Sequence, residues 1–280
     1  MNITIAIIGL GFVGSAMYKS FSNKITEFGY ESKYKIIGYD KYKQNDNNAT
    51  IDECFKSDII FLSLPTVYDA QTKTYDISPL NEWCELLHNN IYRGIIVIKS
   101  TICIGTTNEL SHKYQELTFA HNPEFLTART AYEDFHNQKH IVLGISNNKK
   151  IEPVISFYHD LYKNVDISIC NCIDSESMKL YCNVFYAIKI QAFNELYLLS
   201  NKTGGNYDKI VNLMLKNGWI NPMHTQVPGP DGKLSYGGLC FPKDTNALVQ
   251  FMKKINTPHK VLEATICERN EMRNDQDNIK

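Results

Sequence analysis

The sequence lacks the features that mark specialised chain classes. No run approaches roughly eighteen consecutive apolar residues, so it holds no candidate for a membrane-spanning helix. Charge excess is missing too: Lys+Arg 29 stands against Asp+Glu 30, a net charge of -1. A nucleic-acid binder that relies on a broad basic surface is therefore not expected. The opening residues Met1-Asn2-Ile3-Thr4-Ile5 have no charged n-region and no cleavage site, and read as a strand instead of a leader. The cysteines (Cys54, Cys84, Cys103, Cys170, Cys172, Cys182, Cys240 and Cys267) form no C-x-x-C pair and no Cys/His zinc spacing, so no metal is expected. Cys170 and Cys172 are the one close pair, and without a leader all eight read as reduced thiols. Repeats and low-complexity segments are absent. What is present reads as a globular chain of 280 residues, expected to be soluble and cytoplasmic, with room for one large domain or two modest ones.

Through the first 165 residues, β-branched apolar runs alternate with amphipathic stretches. Ile3–Ile8, Lys35–Tyr39, Asp58–Leu64, Ile95–Ile98, Thr118–Ala120 and His140–Ile145 read as buried strands. The stretches between are long enough for crossover helices, which predicts a parallel sheet covered on both faces. After Ile169 the pattern changes. Asp174 to about Lys202 has helical spacing and no Pro or Gly, with Asp174 or Ser175 as its N-cap and Gly204-Gly205 as its stop. Further helices are expected over Tyr207–Lys216, from about Thr245, and from Pro258 almost to the chain end; residues 218–238 hold too much Pro and Gly for regular structure. The division expected is an α/β domain over 1–165 and a helical domain over 166–280.

Gly9-Leu10-Gly11-Phe12-Val13-Gly14 is a G-x-G-x-x-G placed directly after the first strand and opening a helix. The first glycine allows the tight turn, the second lets backbone approach a pyrophosphate, and the third lets helix and strand pack closely. Asp40 closes the second strand, somewhat beyond the usual spacing because of the polar insert around Thr26–Lys33. A carboxylate there accepts from both ribose hydroxyls and repels a 2′-phosphate, which favours NAD over NADP; Lys41 beside it keeps NADP open. Two more features carry chemistry. Cys240 follows two glycines, and Lys243 and Asp244 lie within one turn, where a cation favours the thiolate. Lys179 and Asn183, at i and i+4, share a helix face suited to stabilising an oxyanion.

Several separated motifs then occur in order: Ser63-Leu64-Pro65-Thr66, Lys99-Ser100-Thr101 with Gly105-Thr106-Thr107, Asn122-Pro123-Glu124-Phe125-Leu126, Lys179-Leu180-Tyr181-Cys182-Asn183 and Gly237-Gly238-Leu239-Cys240-Phe241-Pro242-Lys243-Asp244. With them the sequence resembles the UDP-glucose/GDP-mannose dehydrogenase family over nearly its whole length. The resemblance implies an α/β fold in which an N-terminal Rossmann-type doubly wound sheet is followed by an all-α dimerisation domain. It implies NAD-dependent oxidation of a nucleotide sugar's primary alcohol to a carboxylate, through two hydride transfers and a Cys240 thiohemiacetal and thioester. Catalytic roles fall to Cys240, Lys179, Asn183, Asp244, Glu124 (acid-base work in hydrolysis) and Thr101 (positioning water). Gly9, Gly11, Phe12, Val13, Gly14, Asp40, Lys41, Pro65, Thr66, Ser100, Thr101 and Lys243 are expected at the cofactor. Glu124, Phe125, Leu126, Lys179, Asn183, His224, Tyr236 and Gly237 are expected at the substrate, a UDP-sugar first. A homodimer is expected along the long helix, with no nucleic-acid or membrane partner.

The chain also departs from that family. Where a second glutamate often follows Glu124 it has Ala128 and then Arg129. Counting back from Cys240, the place of an arginine that reaches a partner subunit's sugar site holds His224, and Tyr236 stands in an altered glycine run. These differences point to a sugar other than plain UDP-glucose. The family's third, nucleotide-gripping domain has no counterpart in 280 residues, so the chain reads as a short form. Two alternatives stand beside this reading: a single-step β-hydroxyacid dehydrogenase of 6-phosphogluconate type, and a non-catalytic NAD-binding module.

Overall fold

The computed structural model describes residues 2–43, 49–146 and 150–273. In chain order the strands are β1 (Ile3–Ile8), β2 (Tyr34–Tyr39), β3 (Ile59–Leu62), β4 (Tyr68–Asp69), β5 (Thr74–Tyr75), β6 (Ile95–Ile98), β7 (Thr118–His121), β8 (His140–Ile145) and β9 (Asp166–Asn171). The helices are α1 (Phe12–Glu27), α2 (Ile51–Phe55), α3 (Ser78–Asn89), α4 (Thr106–Lys113), α5 (Ala131–His136), α6 (Glu152–Leu161), α7 (Cys172–Thr203), α8 (Tyr207–Leu215), α9 (Phe241–Lys254) and α10 (Lys260–Met272). The chain divides into two compact units, Met1–Thr66 with Asp76–Lys179, and Val67–Tyr75 with Leu180–Lys280.

The first unit is an α/β sheet ordered β2-β1-β3-β6-β7-β8-β9. Its central strands bury both faces, as their unbroken apolar sequence requires, while the edge strand β9 stays partly exposed. Ile5, Ile7, Ile59, Phe61, Ile95 and Val97 enter one core, while Ala6, Ile8, Ile60, Leu62, Ile96 and Ile98 enter the other. This is the period of two that places neighbours on opposite faces. The strand order reverses at β1, whose neighbours are β2 and β3, so the loops leaving β1 and β3 flank the switch point where open α/β sheets bind ligands.

The sheet differs from the all-parallel expectation at one seam: β7 pairs with β8 antiparallel, Ala120 opposite Ile145 and His121 opposite Gly144. The segment between them contains only a 3-10 turn (Ala128–Thr130) and the six-residue α5. Such a helix advances about 9 Å, too little to carry the chain back along the sheet. β9 then adds beside β8 in parallel through α6, making a seventh strand of the segment Asp166–Asn171.

Helix α7 has 32 residues, about 48 Å at 1.5 Å per residue, and its residues past Lys179 belong to the second unit. Its start lies earlier than Asp174. Asn171 Oδ1 accepts the Asp174 N–H at 2.9 Å while its Nδ2 donates to the Asp174 carboxylate at 2.6 Å, a reciprocal N-terminal cap.

In the second unit α7, α8, α9 and α10 are joined by the antiparallel pair β4–β5, so this unit is not wholly helical. Phe193, Tyr207, Val211 and Val227 form a small core of its own. The segment between α8 and α9 has no regular structure, as its Pro and Gly content predicts, and side chains from α7 and α10 pin it. Lys189 Nζ donates to the carbonyls of Asn221 and Met223, so this lysine braces the loop instead of trailing into solvent. Ser235 N–H donates to Asn194 Oδ1 at 2.9 Å, and Arg273 Nη1 donates to the Leu234 and Ser235 carbonyls at 3.0 and 3.2 Å. Helix α9 begins at Phe241, four residues before the expected Thr245, because Pro242 suits the first turn of a helix. Helix α10 ends at Met272; the expected continuation beyond Arg273 lies outside the described residues. Among the described residues no helix is long and apolar enough to cross a membrane, and no cluster of His, Cys, Asp and Glu is placed to hold a metal.

Candidate active site

The glycine turn after β1 separates what the fold needs from what a ligand needs. Gly9 has φ 88°, and a Cβ there would collide with the Ser63 carbonyl beyond β3; a Cβ at Gly14 would overlap the Gly9 carbonyl. At Gly11 a Cβ would meet nothing within 4 Å. The fold thus requires glycine at 9 and 14, while at 11 it leaves space that a side chain would fill. An open groove of about 360 Å³ lies there, lined by Gly11, Phe12, Ser15, Lys19, Lys43 and Tyr132. Phe12 and Val13 open α1, whose first turn holds no acidic residue and whose N–H groups favour an anion.

Asp40 at the end of β2 accepts the Leu10 N–H at 2.7 Å and the Tyr42 and Lys43 N–H groups at 2.9 and 3.0 Å. Partial burial works to raise its pKa, but these backbone donors outweigh it and the carboxyl is held below its ordinary value. The charged form a ribose hydroxyl donates to is the one the structure favours. Lys41 turns to an exposed ion pair with Glu82 at 2.9 Å. Lys43, which the sequence reading passes over, instead reaches the Leu10 carbonyl at 2.7 Å, a cation at the glycine turn. A lysine in a polar stretch carries no local signal of that placement.

Beyond β3 and β6, hydroxyls tie two strand ends together. Ser100 Oγ accepts the Leu64 N–H at 2.9 Å, and Thr66 Oγ1 donates to the Thr101 carbonyl at 2.6 Å, with Pro65 exposed beside them. Beyond β7 the Asn122-Pro123-Glu124 turn meets α7. Lys179 Nζ donates to the Glu124 carbonyl at 2.6 Å and to Glu124 Oε1 at 3.1 Å, and Glu124 Oε2 accepts the Leu126 N–H at 2.7 Å. The Phe125 ring lies 5.3 Å from the same ammonium.

The second unit holds the thiol. Gly238 takes φ 77°, which turns the chain so that the exposed Cys240 becomes the N-cap residue of α9. A thiolate there faces the positive end of a 14-residue helix. One turn on, the Asp244 N–H donates to the Cys240 carbonyl at 3.0 Å. The Asp244 side chain is fully buried and collects three donors: Tyr75 Oη at 2.5 Å, Lys243 Nζ at 2.6 Å and Asn183 Nδ2 at 2.6 Å. Lys243 also lies 4.6 Å from the Tyr75 ring centre, so its ammonium is committed to this cluster. Lys179 and Asn183, one turn apart on α7, therefore each hold a carboxylate, Glu124 and Asp244 respectively.

Two expected substrate residues sit differently. Tyr236 is 2% exposed, its hydroxyl directed at Thr245 and its ring beside Arg269, so it forms the floor of the thiol loop and does not face a ligand. At Gly237 a Cβ would press on the Arg273 guanidinium, so this position packs against α10's end instead of opening toward a ligand. His224, at φ 69°, lies tilted against Tyr186 (4.8 Å) and edge-on to Phe241 (5.8 Å); burial, then the charge of Lys189, lowers its pKa. Tyr75 is the functional residue that sequence reasoning missed. It reaches Asp244 through the β4–β5 pair, whose two-residue strands leave no periodic trace.

Residues 22–166 match the NAD binding domain of the UDP-glucose/GDP-mannose dehydrogenase family, and residues 161–271 match that family's central domain. The first match begins after the glycine turn. The chain is 31% identical to UDP-glucose 6-dehydrogenase of Rhizobium meliloti over 221 residues, covering 75% of this chain and 49% of that protein. It is 27% identical to UDP-glucose 6-dehydrogenase of Campylobacter jejuni over 293 residues, covering 96% of this chain and 72% of that one. In fold it resembles a UDP-glucose dehydrogenase from Pyrobaculum islandicum (TM-score 0.80, 22% identity, 97% of this chain and 68% of that chain). It also resembles 3-hydroxyisobutyrate dehydrogenase of Mycobacterium tuberculosis (TM-score 0.69, 15% identity, 95% of this chain and 92% of that chain). The chain thus spans about half the length of the first of these relatives.

Proposed function

The chain belongs to the UDP-glucose/GDP-mannose dehydrogenase family, and from that premise we propose that it oxidises the primary alcohol of a nucleotide sugar, a UDP-sugar first, to a carboxylate. NAD, when bound, supplies the hydride acceptor for both oxidations. Gly9, Gly11, Phe12, Val13 and Gly14 would hold its pyrophosphate at the α1 N-terminus, and Asp40 its ribose. The open space at Gly11 and the charged Asp40 both fit that group. Gly11→Ala is expected to weaken NAD binding about tenfold in calorimetry without moving the melting temperature; unchanged affinity would remove NAD from this turn.

The chain's own groups account for the remaining chemistry. Lys179 and Asn183 stabilise negative charge on the reacting oxygen. Cys240 thiolate adds to the aldehyde carbon, a C–S bond forms and the carbonyl oxygen takes a proton, giving a thiohemiacetal; oxidation of that carbon leaves a thioester. Water then adds with Glu124 taking its proton and Thr101 orienting it, and the C–S bond breaks to release carboxylate and return the thiol. The observation that carries this reading is the thiol's setting: Cys240 sits at the N-cap position of α9, one turn before a buried, triply bonded Asp244.

NADH counted against a panel of UDP- and GDP-sugars tests it. Two NADH per sugar are expected, with loss of the second in Cys240→Ser; a fixed ratio of one would overturn it. That outcome is the second reading, a single-step β-hydroxyacid dehydrogenase, favoured by the fold shared with a protein of which this chain covers 92%. With Tyr236 buried, the substrate difference now rests on His224 and on Ala128 in place of the second glutamate; a clear preference for UDP-glucose would count against it. We assign a second copy of the chain to α7, where Tyr181, Phe185 and Leu199 are exposed along one stripe. Light scattering should give a dimer, and Phe185→Glu a monomer.

A further inference from the structure

Lys99 is a lysine where lysines are rarely found. It follows β6, is 2% exposed, and is met from every side within the first unit. Its Nζ donates to Asn122 Oδ1 at 2.9 Å and to the Pro123 carbonyl at 3.3 Å, and lies 5.2 Å from the Phe135 ring centre. Asn122 is itself fixed by Tyr158, whose hydroxyl donates to the same Oδ1 at 2.6 Å, and by the Val142 carbonyl, which accepts from its Nδ2 at 2.8 Å. The next residue in the turn is Glu124.

We propose that Lys99 is a positioning residue for Glu124: its buried amine clamps the Asn122-Pro123 turn and so fixes where the glutamate carboxylate meets Lys179. The proposal rests on the reading of Glu124 as the hydrolytic base. An unsupported lysine in this setting would be a net loss, because burying a charge is costly without partners. The bonds are spent on backbone and side chain of a single turn, which is what fixing that turn's geometry requires.

The electrostatics add a signature. Burial lowers the Lys99 pKa to about 7, with Glu124 acting to raise it and Lys179 to lower it further. The other groups facing it are His121 on β7, whose own pKa burial and then the Lys99 charge depress to about 3, and Tyr158 on α6, pushed well above its usual value by burial. Neither changes charge between pH 5 and 9, so the titration there belongs to Lys99. As pH rises through about 7 the turn loses a positive charge beside Glu124.

The test combines kinetics with a titration that needs no substrate. Lys99→Met is expected to lower kcat on the order of 100-fold while KM for NAD stays within about twofold, and the kcat inflection near pH 7 disappears. Lys99→Gln keeps an N–H donor and recovers about tenfold of the loss, but not the inflection. In the parent protein, 13Cε lysine NMR should show one lysine titrating near pH 7, absent in Lys99→Met and moved lower in Glu124→Gln. Unchanged kcat and pH profile in Lys99→Met, or every lysine titrating above pH 9, overturns the inference. If Lys99→Met does not fold, the NMR titration and its response to Glu124→Gln decide. If the parent turns over no nucleotide sugar while the Glu124-dependent titration is present, the clamp stands and the substrate reading falls.

Discussion

At the candidate site each of the two units sets a carboxylate against an amine, and the two carboxylates are open to water to different degrees. In the second unit Asp244 is sealed, with Tyr75 and Lys243 donating to one oxygen and Asn183 to the other. In the first unit the Glu124 side chain keeps 10% of its exposure, and its contact with Lys179 is the longer 3.1 Å while the ammonium's 2.6 Å bond goes to backbone. A carboxylate that must trade protons with water needs access and loose partners; one that must orient neighbours needs neither. On the proposed mechanism, the difference suits Glu124 to proton exchange and Asp244 to orienting its neighbours.

That division predicts a ladder of stability effects in urea unfolding. Asp244→Ala leaves Lys243 and Asn183 facing a void and is expected to cost about 3 kcal/mol or more, the largest effect; a loss under about 1 kcal/mol would mean the cluster is not structural. Tyr75→Phe removes one bond to a charged oxygen and should cost about 1.5–2 kcal/mol. Glu124→Gln keeps the shape and most of the bonds, and should stay within about 0.5 kcal/mol of the parent. If Glu124→Gln proved the more destabilising of the two carboxylate changes, the assignment of roles would be reversed.

How much of this was legible in the sequence follows from how far each signal reaches. The sheet strands are written in local period-two runs such as Ile5-Ala6-Ile7-Ile8, and Gly9, Gly11 and Gly14 announce their turn because local sterics demand them. Helix α7 is legible by length, though not its cap, because Asn171 belongs to the strand β9 as well. The antiparallel seam at β7 and β8 depends on how short α5 is in three dimensions. Tyr75 meets Asp244 across a sequence separation of 169 residues, and Lys99 meets Asn122 and Pro123 only because β6 and β7 are neighbours. Tyr236 was expected at the substrate because it stands in an altered glycine run beside the thiol, whereas the structure buries it with Arg269 beside its ring. Local pattern reveals the groups that act; tertiary pairing alone reveals those that hold them.

On the proposed mechanism, Cys240 carries the substrate and Glu124 releases it. Intact-mass analysis of Glu124→Gln incubated with NAD and a turned-over UDP-sugar tests both halves at once. The account predicts a covalent adduct that accumulates and maps to Cys240, absent in Cys240→Ser and not accumulating in the parent. No adduct in Glu124→Gln, or one on another residue, would contradict it.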